Sequence, residues 1–179
     1  MTRRSSSRLL GKLEGGDRRS IGQSGLVVAE VLADPALFDE LFSGLRSRDS
    51  VVRIRVADAL EKVTAVRPDL LRPYKRDLLG SLSKSADKEV RWHVAQMLPR
   101  VRWSGRERRL VYEILRSYLQ DSSSIVKTCA MQALVDLTEQ APGFRPTVLQ
   151  LIRRLTTTGT SAMRARGRKL LSAPARARV

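Results

Sequence analysis

Apolar residues return along this chain at the helical interval, and they do so in the same phase four times. In the segment DKEVRWHVAQMLPRV, residues 87–101, the apolar positions are Val90, Val94, Met97, Leu98 and Val101. Counted from Val90 they fall at 0, 4, 7, 8 and 11, which lays one stripe down a helix of 3.6 residues per turn. DSVVRIRVADALEKV (49–63) matches it at an offset of 38 residues; SSIVKTCAMQALVDL (123–137) follows after 36 and TSAMRARGRKLLSAP (160–174) after 37. The anchors of the four stripes are Val52, Val90, Val126 and Met163. Three residues before each stands Asp49, Asp87, Ser123 or Thr160, whose side-chain oxygens can accept an orphan N–H of a first turn, so each copy predicts a helix start at one phase. A basic residue follows every anchor: Arg53, Arg91, Lys127 and Arg164.

A second helix is predicted ahead of each stripe. PALFDELFSGL (35–45) offers Leu37, Phe38, Leu41, Phe42 and Leu45; the others are 68–82, 106–119 and 145–155. Pro35 and Pro68 stand where a first turn tolerates a missing N–H. SGLVVAEVLAD (24–34), with Val28, Val31 and Leu32 in phase, predicts a further helix that caps the N-terminal end. Pro99 removes a donor and is expected to end its helix near Leu98 and to redirect or expose Trp103.

The motif Asp-x-x-Val-Arg-x-x-x-Ala-x-x-Leu on the second helix of a pair resembles that of the HEAT-repeat family. The likeness covers about residues 24–172 and is most specific at 35–63 and 68–101. It implies an all-α, right-handed α-solenoid, with first helices on the convex side and second helices on the concave side. A two-helix unit cannot bury its apolar face alone, which agrees with stacking. Four pairs are expected, over about 34–66, 67–103, 104–141 and 142–172, between a flexible basic tail at 1–20 and a basic tail at 173–179. In the last pair Arg168 replaces the small residue found at Ala57 and Ala95, so that helix is expected to close the array.

Composition agrees with helices: aromatics are 4% of the chain, and there is one cysteine, Cys129, so no internal disulfide can form. No apolar run approaches the roughly 18–20 residues that span a bilayer, and the N-terminal segment lacks the apolar stretch of a secretory signal. A monomeric cytoplasmic protein without membrane association is the expectation. The formal charge of +16 sits mostly at the ends, with six basic and two acidic residues in 1–20, and nine basic and no acidic residues in 145–179.

Candidate chemistry follows from the helical wheel. Two steps past the anchors lie Ile54, Trp92, Thr128 and Ala165; six steps past lie Asp58, Gln96, Gln132 and Lys169; the shoulder, three steps past, reads Arg55, His93, Cys129 and Arg166. A groove that tracks phosphates would carry consecutive Lys or Arg along such columns. These are mixed and largely neutral, which suits a peptide or protein partner. The expected partner-binding face is therefore Ile54, Arg55, Asp58, Trp92, His93, Gln96, Thr128, Gln132, Arg166 and Lys169. Arg91 is expected to pair with Asp87 or with a neighbouring repeat's carboxylate.

The alternative is a nucleic-acid binder gripping phosphates with Arg153, Arg154, Arg164, Arg166, Arg168 and Lys169 and with the basic termini. A third class follows from the resemblance alone, since one HEAT-like family excises alkylated DNA bases with tryptophans and an acidic residue; Trp92, Trp103 and Asp58 are the corresponding material. No phosphate loop or nucleophile elbow is present. His93 and Cys129 lack the further ligands of a tetrahedral zinc site. A non-catalytic module without cofactor or metal is the expectation.

Overall fold

The computed structural model describes residues 8–16, 20 and 22–172. Among them the chain is all-helical. Ten α-helices follow in order: α1 (Arg8–Gly11), α2 (Ser24–Ala33), α3 (Phe38–Ser43), α4 (Ser50–Val66), α5 (Lys75–Leu79), α6 (Lys88–Met97), α7 (Gly105–Tyr118), α8 (Ser124–Gln140), α9 (Arg145–Thr158) and α10 (Ser161–Ser172). Contacts divide them into two compact units that meet in sequence between Val101 and Arg102.

In the first unit α4 is the central element, packed by α2 and α6. Its stripe is buried as the spacing predicts: Val52, Val56, Ala59, Leu60 and Val63 are at most 3% exposed. The stripe of α6 is buried equally well, from Val90 to Val101. The capping helix α2 buries Val31 as expected, together with Ser24 and Val27, while Val28 and Leu32 are half-exposed. The continuous helix expected over 68–82 is broken into a 3₁₀ segment at Pro68–Tyr74, α5, and a 3₁₀ turn at Leu82–Lys84. Pro73, a second proline inside that run, cannot donate the N–H that would carry an α-helix through it.

In the second unit α8 takes the central place against α7, α9 and α10. Val126, Ala130, Ala133, Leu134 and Leu137 are buried along it. The last stripe is only half covered: Met163 and Gly167 are buried, Leu170 is half-exposed and Leu171 is 38% exposed. Arg168 is exposed on the same helix.

Three of the four expected caps form. Asp49 accepts from the Val51 N–H at 2.8 Å, Ser123 from Val126 at 3.5 Å and Thr160 from Met163 at 3.3 Å. Asp87 does not cap its helix. Its carboxylate instead accepts from Arg53 Nε of the preceding pair at 2.7 Å. Arg91 donates through Nη1 to the backbone carbonyls of Ser85 (2.7 Å) and Ala86 (3.0 Å). Arg53 does the same to Ser47 (2.8 Å) and Arg48 (3.0 Å), and Arg164 to Gly159 (2.9 Å). The recurring arginine thus closes the loop that leads into its own helix, giving donors to carbonyls that no helix satisfies.

Part of the flexible tail expected over 1–20 is ordered: α1 packs on α3, and Leu9 (3% exposed) and Leu13 (0%) are buried. Residues 1–7 and the tail at 173–179 lie outside the described residues. Trp103 is the other correction. Val101 is extended, as Pro99 implies, yet Trp103 is 3% exposed rather than turned outward. Its backbone holds it there, the N–H donating to Gln140 Oε1 at 3.1 Å and the carbonyl accepting from Arg108 Nε at 3.0 Å.

Candidate functional site

The face expected for partner binding is best developed on α4 and α6. Helical phase places Ile54, Asp58, Trp92 and Gln96 on the side of their helices away from the buried stripes, and all four are half-exposed. Asp58 is already engaged: its carboxylate accepts from Ser24 Oγ at 2.6 Å and from Lys62 Nζ at 2.7 Å. The first bond ties α2 to α4, the second lies within α4, and the Asp58 side chain stays 20% exposed.

Arg55 leaves the candidate face altogether. It is 3% exposed, and its guanidinium donates to the carbonyls of Leu13 (2.9 Å), Gly15 (2.6 Å) and Ser20 (2.9 Å). Three residues past the anchor is the shoulder of the packed side, so the long side chain turns inward and holds the N-terminal segment. Gly16 and Gly22, at φ 71° and 55°, bring backbone to the guanidinium so closely that a Cβ at either would stand 3.1 Å from it.

His93 stands on the same shoulder. Its ring meets that of Trp92 edge-on, with centroids 5.6 Å apart at 60°. Among the described residues Nδ1 is buried without a hydrogen-bond partner. Burial pushes the imidazole pKa below its ordinary value, and the pull of Asp58 and Glu61 across on α4 does not reverse this. The imidazole is therefore neutral at pH 7. A group with a depressed pKa takes up its proton more readily in the unfolded chain, whose His titrates near 6.5, so stability is complete above that pH and falls as pH drops through it. Urea midpoints measured at pH 8 and pH 5.5 should differ more for the native chain than for His93→Phe; equal differences would show that His93 does not titrate in the fold this way.

Arg100 is a cross-link that composition did not single out. It donates to the Glu61 carbonyl at 2.6 Å and to Thr64 Oγ1 at 3.1 Å, and it pairs with the Glu61 carboxylate. The end of the second pair is thereby fastened to α4. An isolated arginine just after a proline carries no sequence signal for such a role.

In the second unit the corresponding positions are partly consumed by internal bonds. Thr128 Oγ1 donates back to the Ser124 carbonyl at 3.0 Å. Gln132 donates to Asp136 at 2.9 Å and accepts from Arg166 Nη1 at 3.4 Å, which bridges α10 to α8. Lys169 is exposed on α10. Of the phosphate candidates, Arg153 and Arg154 are exposed on α9, while Arg164 and Arg168, one turn apart, are exposed on α10, which packs on α9. Residues 142–172 contain seven basic side chains and no carboxylate.

The aromatic pair that a base-excision reading needs is not available as expected, because Trp103 is buried. Among the described residues no three His, Cys, Asp or Glu side chains gather closely enough to hold a metal ion, and no helix is long and apolar enough to cross a membrane. Comparison with protein-family models and with curated proteins returns no match for this chain.

Proposed function

We propose that the chain is a non-catalytic binding module, a short right-handed α-solenoid of HEAT-like helical pairs that holds a segment of a partner protein along its second helices. The observation that carries this reading is the half-open strip of Ile54, Trp92 and Gln96 on α4 and α6. These side chains lie on the side of each helix away from a seam that is itself closed. A partly covered tryptophan next to neutral polar groups is what a protein contact uses: much area, little desolvation cost and few rotors to freeze. The equal phase of the four stripes supports the repeat architecture, since a helix that buries the same face in every pair has its opposite edge left over in every pair.

A second reading draws on a separate observation. The concentration of exposed arginine on α9 and α10, with no carboxylate among residues 142–172, favours a polyanionic partner, and nucleic acid is the plainest one.

Affinity capture with the intact chain, run with and without nuclease, separates the two. The first reading expects captured proteins that persist after nuclease and are lost from Trp92→Ala. Loss of all partners on nuclease treatment, with Trp92→Ala behaving as the native chain, contradicts it. In that case Arg168→Glu with Lys169→Glu should abolish binding of duplex DNA.

A further inference from the structure

We propose that the first helices of the last two pairs form a second docking site, a shallow groove between α7 and α9 that takes a short acidic segment of a partner protein with one apolar side chain inserted between its carboxylates. The groove is lined by Tyr112 and Arg116 of α7 and by Thr147, Gln150, Leu151 and Arg154 of α9, and encloses about 370 Å³. It lies on other helices than the face described above and stands or falls independently of it.

The lining specifies the occupant. Leu151 is a half-buried apolar floor, with Thr147 and Gln150 exposed as neutral hydrogen-bonding groups beside it. The two charged members are both arginines, and both are exposed. Arg116 pairs with Glu113 at 3.6 Å, both more than half exposed, a surface pair that contributes little and exchanges readily for another carboxylate. Guanidinium forks suit planar carboxylates, which they can grip through two parallel bonds.

Tyr112 argues against a stacked base. One face of its ring lies on Phe144, with centroids 4.7 Å apart at 18°, Arg116 stands over the ring at 5.7 Å, and only 8% of the residue is exposed. A nucleotide base has no free aromatic face there, whereas single-strand binders depend on such platforms. The volume is at the small end of ligand sites, about 300–1,000 Å³, so it admits a side chain or two rather than a whole helix. An extended acidic segment with one leucine-sized insertion meets each of these conditions.

The test is a titration of the full ¹⁵N-labelled chain with the peptide Gly-Glu-Glu-Leu-Glu-Glu-Gly at low ionic strength. Amide shifts should concentrate on α7 and α9. Arg154→Glu should weaken binding at least ten-fold, replacing the peptide leucine by serine should weaken it several-fold, and Lys169→Glu on α10 should change it less than two-fold. Arg154 is exposed, so its variant should keep the native spectrum elsewhere; Leu151→Asn supplies a second lesion at the floor, with the same ten-fold loss expected. The proposal is overturned if Lys169→Glu weakens binding as much as Arg154→Glu, if the serine peptide binds as well as the leucine one, or if a short DNA duplex shifts these amides while the peptide does not.

Discussion

Replacing Arg55 with methionine should lower the unfolding free energy by about 3–4 kcal/mol, because the buried Leu13 carbonyl and the partly buried Gly15 and Ser20 carbonyls lose charged donors, and an unsatisfied buried acceptor costs about 1–3 kcal/mol. The carbonyls of Leu13, Gly15 and Ser20 all accept from this one guanidinium. At this chain length the corresponding fall in Tm is roughly 10 °C. The loss should be local in character. Amides of residues 8–16, where Leu9 and Leu13 are buried, should exchange faster with deuterium by a larger factor than those of α8. Arg55→Lys should recover only part of the loss, since an ammonium is a point donor and cannot reach three carbonyls that a planar fork reaches at once. Urea denaturation of the three proteins, with exchange followed by mass spectrometry, checks both parts. A methionine variant as stable as the native chain would remove Arg55 from its role as the fastener of the N-terminal segment.

Arg53→Ala is expected to cost about 2–3 kcal/mol. It removes the Arg53 bond to an Asp87 carboxylate whose side chain is only 10% exposed, and it takes a charged donor from the Ser47 and Arg48 carbonyls. Breaking a buried pair from one side costs about 3–5 kcal/mol; the lower figure reflects the 25% exposure of the Arg53 side chain. Asp87→Asn, which keeps shape and removes charge, should destabilise less. The double variant should show a coupling of at least about 1 kcal/mol in a thermodynamic cycle, and additive losses would mean that the two residues do not share an interaction.

Those two arginines mark where the sequence could and could not be read. The seams were legible because burial is periodic: Val52 to Val63, Val90 to Val101 and Val126 to Leu137 all lie inward at the predicted steps. Periodicity ranks positions by direction from the helix axis and says nothing of how far a long side chain reaches. Arg55 therefore passed as a groove residue. Its partners are main-chain carbonyls some 40 residues earlier, which have no side-chain signature. The repeated arginine after each anchor was visible as a pattern, but its use was not. Three such arginines close their own loops, and Arg53 also pairs with the Asp87 carboxylate of the following pair.

Breaks were read less well than stripes. One proline at the start of 68–82 fits a helix, and the second, Pro73, turns its first half into a 3₁₀ segment. Trp103 follows the extended Val101 as Pro99 implies, but packing rather than local geometry decides that it is buried. At the candidate face, Trp92, Ile54 and Gln96, which the wheel turns outward, are half-exposed, while Asp58 and Arg166 spend hydrogen bonds on neighbouring helices.

The central physical claim is that second helices lie side by side within each unit through the stripes that recur in the sequence. A methyl-labelled nuclear Overhauser spectrum tests it most directly. Cross-peaks are predicted between the methyls of α4 (Val52, Val56) and α6 (Val90, Val94), and between those of α8 (Val126, Ala130) and Met163 of α10. Their absence in a folded sample, with these methyls instead open to a soluble paramagnetic agent, would contradict the account.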